Sequence, residues 1–271
     1  MAPTTIYAQK KKIELGMLAG TSYYYGDIVN YELEPASIKP AAGLFMRYHL
    51  NPYLTLRGNV MYCRVFGADS NLQYIEGKKW QRERNLAFYS DIFELSGMLE
   101  YNIIPDRNRG RTIHTRCIPY VYAGVGVFHF EPMAIHPITG EPIALRPLRL
   151  DGSAYSPIAF AMPLGVGLRF YLNKNWQVGL DFGMRLTTTS HLDDIDGNSK
   201  YPNPENLASD DARIMASRNH NSLNHSTQMV PNIAGKPRGK IDYITDIYFI
   251  NGITVSYRFW TFSKAVRRGR F

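Results

Sequence analysis

Hydrophobic and polar residues alternate with a period of two along eight segments of the chain. The pattern is clearest from residue 176, where the two parities read Trp176, Val178, Leu180, Phe182, Met184, Leu186 and Gln177, Gly179, Asp181, Gly183, Arg185, Thr187. The other segments begin near residues 13, 42, 54, 93, 121, 158 and 247. Successive side chains of a strand point to opposite faces of a sheet, so this period predicts eight β-strands.

The two parities differ in their charge. The apolar parity carries no charged residue, whereas the other carries five acids and five bases among small residues, namely Glu14, Glu94, Glu100, Asp181, Asp246, Arg47, Arg57, Arg169, Arg185 and Arg258. A soluble barrel places its charges in solvent, where the signs need not balance. Buried ions must be paired, because an unpaired buried charge is costly. The balance therefore predicts that the charges line a packed lumen and that the other face contacts lipid.

This arrangement is an all-β fold, an eight-stranded antiparallel transmembrane β-barrel of the outer-membrane type. A soluble β-sandwich is the alternative, and Pro163 argues slightly against the barrel because it removes a hydrogen-bond donor from the middle of a strand. One group of charges falls toward the same end of neighbouring strands and predicts a row of lumenal ion pairs, namely Arg258, Glu14, Arg47, Arg57 and Glu100.

The connections between the strands alternate in length. The short turns are 51–52 and 173–175, the link 105–118 is intermediate, and the long loops are about 25–38, 67–88, 131–156 and 189–243. Outer-membrane barrels have short periplasmic turns and long extracellular loops, so both termini are expected in the periplasm. Aromatic residues collect at the strand ends, as in an interfacial girdle, and include Tyr23, Tyr48, Tyr53, Tyr62, Tyr101, Tyr171, Trp176 and Trp260.

The chain is interpreted as one domain with two short extensions. Residues 1–9 resemble the end of a signal peptide, because Ala8-Gln9 precede three lysines, and a short disordered leader is the alternative. Residues 10–263 form the single barrel domain, which includes 189–243 as a long extracellular loop, and residues 264–271 form a basic periplasmic tail. No run of about 18 or more apolar residues is present, which excludes a transmembrane helix but not a transmembrane barrel.

The chain is basic, with a formal net charge of +8. Twelve cations and a single anion, Asp106, fall on the predicted periplasmic side, so that side alone carries +11. The cations are Lys10, Lys11, Lys12, Arg107, Arg109, Arg111, Arg116, Lys174, Lys264, Arg267, Arg268 and Arg270. They fit either anionic phospholipid headgroups, at about 1 kcal/mol per cation, or an acidic protein partner. Nucleic acid fits poorly, because the sequence has no recognised binding motif.

The sequence indicates no catalytic or metal site, and no cofactor or small-molecule substrate is expected. The segment Asp193-Asp194-Ile195-Asp196-Gly197 lacks the spacing and the distal Glu of an EF-hand loop, so a turn cap or an anchor to an arginine is preferred to a calcium site. His129 is followed by Glu131, where a lipid A deacylase would carry its nucleophilic serine, so an enzyme is not expected. Within the long loop, Ser209-Asp210-Asp211 predicts a short helix through Ser217.

Several stretches of the chain resemble one family of barrels. They are Tyr24-Tyr25-Gly26-Asp27 and the segments 120–130, 163–167, 185–197 and 255–259. The most specific is an Arg-x-Thr-x-Thr string from Arg185 that continues into Leu192, Asp193, Asp194 and Gly197. On these residues the chain is similar to the PorG-like outer-membrane barrels of the Bacteroidetes type IX secretion system.

The resemblance implies a structural role and no enzymatic activity. In that family the barrel associates with the periplasmic ring formed by the lipoprotein PorK and by PorN, and connects this ring to the outer membrane. The basic residues of the periplasmic side are then expected to contact the ring, with outer-membrane lipids as a secondary contact. The alternative from another class is a small outer-membrane barrel for ligand or lipid binding, adhesion or uptake.

Overall fold

The computed structural model describes residues 12–28, 35–72, 84–108, 113, 115–216, 218, 234–239 and 245–260. The strands within these residues are β1 (Lys12–Tyr25), β2 (Lys39–His49), β3 (Leu54–Ala68), β4 (Ala87–Asn102), β5 (Cys117–Ile135), β6 (Pro142–Ala144), β7 (Ile158–Tyr171), β8 (Trp176–Thr187) and β9 (Ile247–Trp260). Eight of them form one antiparallel sheet in the order β4-β3-β2-β1-β9-β8-β7-β5, and the pairing of β4 with β5 closes it. The short β6 extends only the far end of β5. The predicted eight-stranded antiparallel barrel is therefore confirmed.

The alternation in the sequence separates the lumen from the outer surface. On β1, Glu14 is fully buried, whereas Leu15 and Met17 are 48% and 58% exposed. The outward apolar side chains form a continuous band, the apolar belt, whose most exposed members include Met17, Leu44, Val60, Phe93, Leu95, Val125, Phe160 and Ile253. An exposed apolar surface of this extent matches a hydrocarbon environment better than water.

Pro163 fits into β7 because the sheet is locally open beside it. The β5–β7 pairing includes Ala123 with Leu164 and then Gly126 with Ala161, and it skips the two rungs between them. Pro163 has no N–H to donate, so the missing rungs fall where the donor is absent. The proline is thus compatible with the barrel at the cost of a gap in one seam.

Two tyrosines of β5 fill the middle of the lumen. A Cβ placed at Gly165 or Gly167 of β7 would collide with the ring of Tyr122 or Tyr120, respectively. The glycines on this wall therefore leave the room that the two rings occupy.

The connections give the barrel a short-turn end and a long-loop end. The two tight turns at the short-turn end use the same device. Asn51 Oδ1 accepts the N–H groups of Tyr53 and Leu54 at 2.8 and 2.9 Å. The Asn173 side chain does the same for Asn175 and Trp176, both at 2.9 Å. An asparagine that binds its own backbone two and three residues ahead stabilises such turns.

At the long-loop end the connections fold over the opening and form a cap. The cap contains β6 and a short helix, α1 (Asp210–Ala216), whose N-terminus is capped by Ser209 Oγ, the acceptor of the Ala212 N–H at 3.1 Å. The helix predicted to follow Ser209 is therefore confirmed. The buried apolar residues of the cap continue the core of the lumen, and include Leu145, Leu150, Leu192, Ile195, Tyr201, Leu207 and Met215.

None of the helices in the described part of the chain has the length and apolar character needed to cross a membrane.

Candidate functional sites at the two ends of the barrel

Glu14 lies at the centre of a buried ionic network in the short-turn half of the lumen. Its Oε1 atom is 2.8 Å from Arg47 Nη1 and accepts the Ser256 hydroxyl at 2.8 Å. Its Oε2 atom is 3.0 Å from His49 Nε2 and 3.3 Å from Arg258 Nη2. The strand register pairs Glu14 directly with Arg47 on β2 and with Arg258 on β9. Cross-strand neighbours on the lumenal face therefore bring opposite charges together.

Glu100 connects walls of the barrel that are not adjacent in the sheet. Its Oε1 atom is 2.8 Å from Arg47 Nε and 3.4 Å from Arg57 Nη1, and its Oε2 atom is 2.6 Å from Arg169 Nη2 on β7. Arg57 of β3 also reaches Asp181 of β8 at 2.5 Å. These bonds cross the lumen, so they fix the spacing of opposite walls as well as neutralising charge.

The two tyrosines of β5 belong to the same network. The Tyr122 hydroxyl donates to Asp181 Oδ1 at 2.7 Å and the Tyr120 hydroxyl donates to Asp181 Oδ2 at 3.0 Å. Arg169 also lies over the Tyr120 ring, 5.0 Å from its centre. The alternation is less clear in this segment of the sequence, and it gave neither ring a role. The glycines on the facing strands are the signal that could have shown the space for them.

Asp106 lies inside the barrel, so its assignment to the basic surface was wrong. Its Oδ2 atom is 2.8 Å from Arg258 Nη2 and accepts the Tyr171 hydroxyl at 2.7 Å. Burial raises the pKa of Asp106, but the charge of Arg258 and the hydrogen bond from Tyr171, with smaller contributions from His49 and Arg169, together outweigh it and lower the pKa to about 2. Tyr171, assigned to the aromatic girdle, is likewise buried in the lumen. Among the described residues the network contains four arginines and four carboxylates, namely Arg47, Arg57, Arg169, Arg258, Glu14, Glu100, Asp106 and Asp181.

The remaining lumenal arginine and glutamate, Arg185 and Glu94, pair with each other nearer the long-loop end. Arg185 Nε is 3.3 Å from Glu94 Oε2. Asp246, the last of the ten predicted charges, is buried but does not pair with an arginine as expected. It accepts the Tyr24 hydroxyl at 2.9 Å and the Leu192 N–H at 2.8 Å. The reason is its position just before β9, where the lumen has given way to the apolar core beneath the cap.

Tyr24 joins the cap to the barrel through two carboxyl groups. Its hydroxyl is 2.8 Å from Asp193 Oδ2 and 2.9 Å from Asp246 Oδ1. Burial raises the pKa of Asp246 to about 8. Burial, with the nearby charges of Asp246 and Asp27, raises the pKa of Asp193 well above its usual range. The hydroxyl has one proton to donate, so both contacts are satisfied only when one carboxyl group is itself protonated.

The rest of the Leu192–Gly197 turn is anchored by an arginine. Asp194 adopts a left-handed φ of 65° and accepts the Tyr155 hydroxyl at 2.6 Å. Arg238 Nη2 lies 3.5 Å from Asp194 Oδ2, and Arg238 also pairs with Asp151. Leu192 and Gly197, at the two ends of the turn, are buried. In the described ranges no group of three or more His, Cys, Asp or Glu side chains is arranged to hold a metal ion.

The cations predicted to bind a partner are only partly described. Arg107, Arg116 and Lys174 lie at the short-turn end and are exposed. Lys12 is the first residue of β1. The other members of the set fall outside the described residues, and they are Lys10, Lys11, Arg109, Arg111, Lys264, Arg267, Arg268 and Arg270.

A family model described as "Domain of unknown function (DUF6089)" matches residues 2–218. The chain belongs to the DUF6089 family. The matched residues include strands β1–β8, the Leu192–Gly197 turn and helix α1. No curated protein matches the chain.

Among solved structures, the DUF6089 barrel is similar to three outer-membrane proteins at low sequence identity. For Ail of Yersinia pestis, in complex with the heparin analogue sucrose octasulfate, the identity is 11% and the TM-score 0.43, over 93% of this chain and 100% of that one. For Neisserial surface protein A the values are 7% and 0.44, over 91% and 97% of the two chains. For the N-terminal β-barrel domain of Pseudomonas aeruginosa OprF they are 11% and 0.37, over 93% and 100%.

The DUF6089 barrel thus pairs its lumenal charges within the fold. Buried arginines and carboxylates fill one half of the lumen, and an apolar core fills the other. Two surfaces remain for contacts with other molecules besides the apolar belt, namely the cap at one end and the basic short-turn end at the other.

Proposed function

We propose that this protein is a structural component of the outer membrane that anchors an assembly of the type IX protein secretion machinery. Like the PorG-like barrels that it resembles, it would hold the periplasmic ring of the lipoprotein PorK and of PorN at the membrane. The short-turn end would face the periplasm and bind the ring, while the apolar belt holds the barrel in lipid. The lumen would serve as a rigid support without enzymatic activity.

The observation that carries this proposal is the neutrality of the lumen. Among the described residues, the five arginines that line the barrel wall are matched by five buried carboxylates, because Asp106 pairs with Arg258 and so takes the place that Asp246 was expected to fill. The net charge of +8 therefore belongs to the rest of the chain. Since Asp106 is buried, it no longer offsets the cations that the sequence places near the short-turn end. An exposed excess of one sign steers and orients a partner of the opposite sign.

The packing of the lumen supports an anchor in preference to a channel. Glu100 and Asp181 cross the barrel to arginines on non-adjacent strands, and the cap covers the other opening with an apolar core. A barrel of eight strands has an interior that side chains can fill. Because a filled barrel leaves no path for solutes, we expect it to act through contact with another protein at one end.

Charge reversal at the short-turn end tests this proposal. Arg107→Glu combined with Arg116→Glu should reduce the recovery of PorK and PorN with the tagged barrel from membranes by about tenfold or more, because attraction becomes repulsion. The matched control is Lys200→Glu with Lys236→Glu, which makes the same change of charge on exposed residues of the cap. The control should leave recovery unchanged. Undiminished recovery with the first pair would refute the docking role.

Adhesion or ligand binding is a second candidate, and the folded cap favours it. The cap has buried apolar residues and an arginine-anchored turn, so it presents a defined surface at the long-loop end. Uptake is not favoured, because both halves of the lumen are filled. Single-channel recording in planar bilayers separates uptake from the roles of a closed barrel. A steady conductance would support uptake, and its absence would support a closed anchor.

A further inference from the structure

The link between β4 and β5 is held across the short-turn opening. Asp106 reaches Arg258 Nη2 at 2.8 Å and the Tyr171 hydroxyl at 2.7 Å, both inside the lumen. The Asp106 N–H donates to Pro52 O, in the β2–β3 turn, at 2.8 Å. These partners belong to different walls of the barrel, so Asp106 fixes the first part of the link at the opening from more than one side.

Asn108 joins the two arms of this link. Its side chain is almost completely buried, and its amide binds both backbone groups of Thr115. Asn108 Nδ2 donates to Thr115 O at 2.8 Å, and Asn108 Oδ1 accepts the Thr115 N–H at 3.0 Å. The Asn108 side chain thus makes the two hydrogen bonds that a neighbouring strand would otherwise make to the Thr115 backbone. Arg107 and Arg116 directly flank this contact, one on each arm.

Both arginines have an exposed side chain on a fixed backbone. The Arg107 N–H donates to Pro105 O at 3.0 Å, directly after the anchored Asp106. Arg116 O accepts the Tyr171 N–H at 2.9 Å. Because the backbone is already ordered, binding would restrict only the two side chains, which lowers its entropic cost.

We propose that Asn108 is the positioning residue of an arginine clamp, formed by Arg107 and Arg116, that binds a carboxylate-rich segment of a protein partner. The clamp rests on the docking function proposed above and gives that function its chemistry. The planar guanidinium group binds carboxylates through two parallel hydrogen bonds, and two such groups held side by side match neighbouring acidic residues.

The position of the clamp favours a protein over a lipid headgroup. Headgroups surround the barrel at the edge of the apolar belt, whereas the link crosses the opening at the end of the lumen. The clamp therefore faces the aqueous space below the barrel, which an extended acidic segment can enter.

Binding of fluorescein-labelled octaglutamate to the full-length barrel in detergent tests the clamp. Arg107→Gln with Arg116→Gln should weaken binding about tenfold and reduce the slope of log affinity against log salt concentration, because two charges are lost. Asn108→Ala keeps both charges and loses only their placement. It should weaken binding about threefold or more at fixed salt and leave the slope unchanged.

Thr115→Ala is the matched control for Asn108→Ala. The two hydrogen bonds from the Asn108 side chain to Thr115 go to backbone atoms, so the Thr115→Ala variant keeps both and should bind octaglutamate like the wild type. The Arg107→Gln, Arg116→Gln pair changes exposed side chains, so it remains informative even where Asn108→Ala impairs folding. Thermal melting of each variant shows whether it is folded.

Three results would overturn the clamp. The first is wild-type affinity for octaglutamate in a folded Asn108→Ala variant. The second is no binding of octaglutamate by the wild type. The third is binding of dioctanoyl phosphatidylglycerol in its place, lost in the arginine double variant. If charge reversal still reduces the recovery of PorK and PorN in any of these cases, the docking function stands without the clamp.

Discussion

The two halves of the lumen are filled by opposite kinds of chemistry. In the short-turn half, arginines and carboxylates such as Arg47 and Glu14 are completely buried and pair with one another. In the long-loop half, aromatic rings such as Phe128 and Phe130 form a core with the loops above them. Ion pairs are directional and join particular atoms on particular strands, whereas apolar contacts depend mainly on area and shape.

This difference explains what each half can support. The ionic half joins walls at fixed distances, so it provides a rigid end on which the β4–β5 link is seated. The apolar half accepts irregular connections, because a turn needs only to present apolar side chains such as Leu192 and Ile195 to be buried there. A barrel packed in this way has one end suited to precise positioning and another suited to covering by loops.

The largest effect is expected from breaking the ionic half. Glu14→Ala would leave the four buried arginines of the network with only three carboxylates, Glu100, Asp106 and Asp181. The uncompensated buried charge should lower the free energy of unfolding by about 3–5 kcal/mol. The urea midpoint in detergent measures it. Thr21→Ala, an exposed position on the same strand, should have little effect. An unchanged midpoint for Glu14→Ala would show that these ion pairs contribute no net stability.

Breaking the apolar half should cost slightly less and should also release the cap. Phe128 lies 5.6 Å from the Phe130 ring and 5.7 Å from the Tyr248 ring, measured between ring centres. Phe128→Ala should lower the free energy of unfolding by about 3 kcal/mol and speed proteolysis of the cap. Phe160→Ala, on the apolar belt, is the control. Equal rates of cap proteolysis in both variants would show that the cap does not depend on the packing of the lumenal core.

The halves should also differ in their response to pH. The pKa of Asp246 is raised from its ordinary value to about 8, so its contribution to stability is complete at low pH and is lost as the pH rises toward 8. Between about pH 6 and pH 8 the loss should be about 2 kcal/mol.

Cap proteolysis measured across this pH range checks the prediction, and Asp246→Asn should reduce the dependence, leaving the part that is due to Asp193, whose pKa is also raised. Asp106, with its pKa lowered to about 2, should contribute no change in the same range. A cap that is equally resistant at both pH values would contradict the raised pKa.

The smallest effect compares two glycines. Gly165→Ala places a Cβ against both the Phe182 carbonyl oxygen and the Tyr122 ring. It should lower the free energy of unfolding by about 1–2 kcal/mol, because the strand must shift and the ring must leave its hydrogen bond to Asp181. A Cβ at Gly97 meets nothing within 4 Å, so Gly97→Ala should be nearly neutral or slightly stabilising. Chemical denaturation in detergent measures both, and equal losses would argue against the tight fit of Tyr122.

The sequence predicted the parts of the molecule that depend on local rules. The alternation identified the strands and their lumenal faces, and charge balance identified Arg47 and Glu14 as buried partners. Asp106 was missed because it lies in an irregular link, where no periodicity indicates direction and burial depends on reaching Arg258. Asp246 was misassigned because the alternation was extended past the start of β9, to a site that the cap determines. The packing of the cap depends on contacts between distant segments, which no local pattern records.

The pairing of β1 with β9 has a consequence for how the barrel is made. These strands are neighbours from Lys12 with Trp260 to Tyr25 with Ile247, so one seam of the cylinder joins the first and the last of the described strands. Contacts between such remote segments form slowly, because the intervening chain must be ordered first. A nascent chain that stops before Ile247 would expose two unpaired edges, which invite aggregation. Strand β9 must therefore be made before the cylinder can shut.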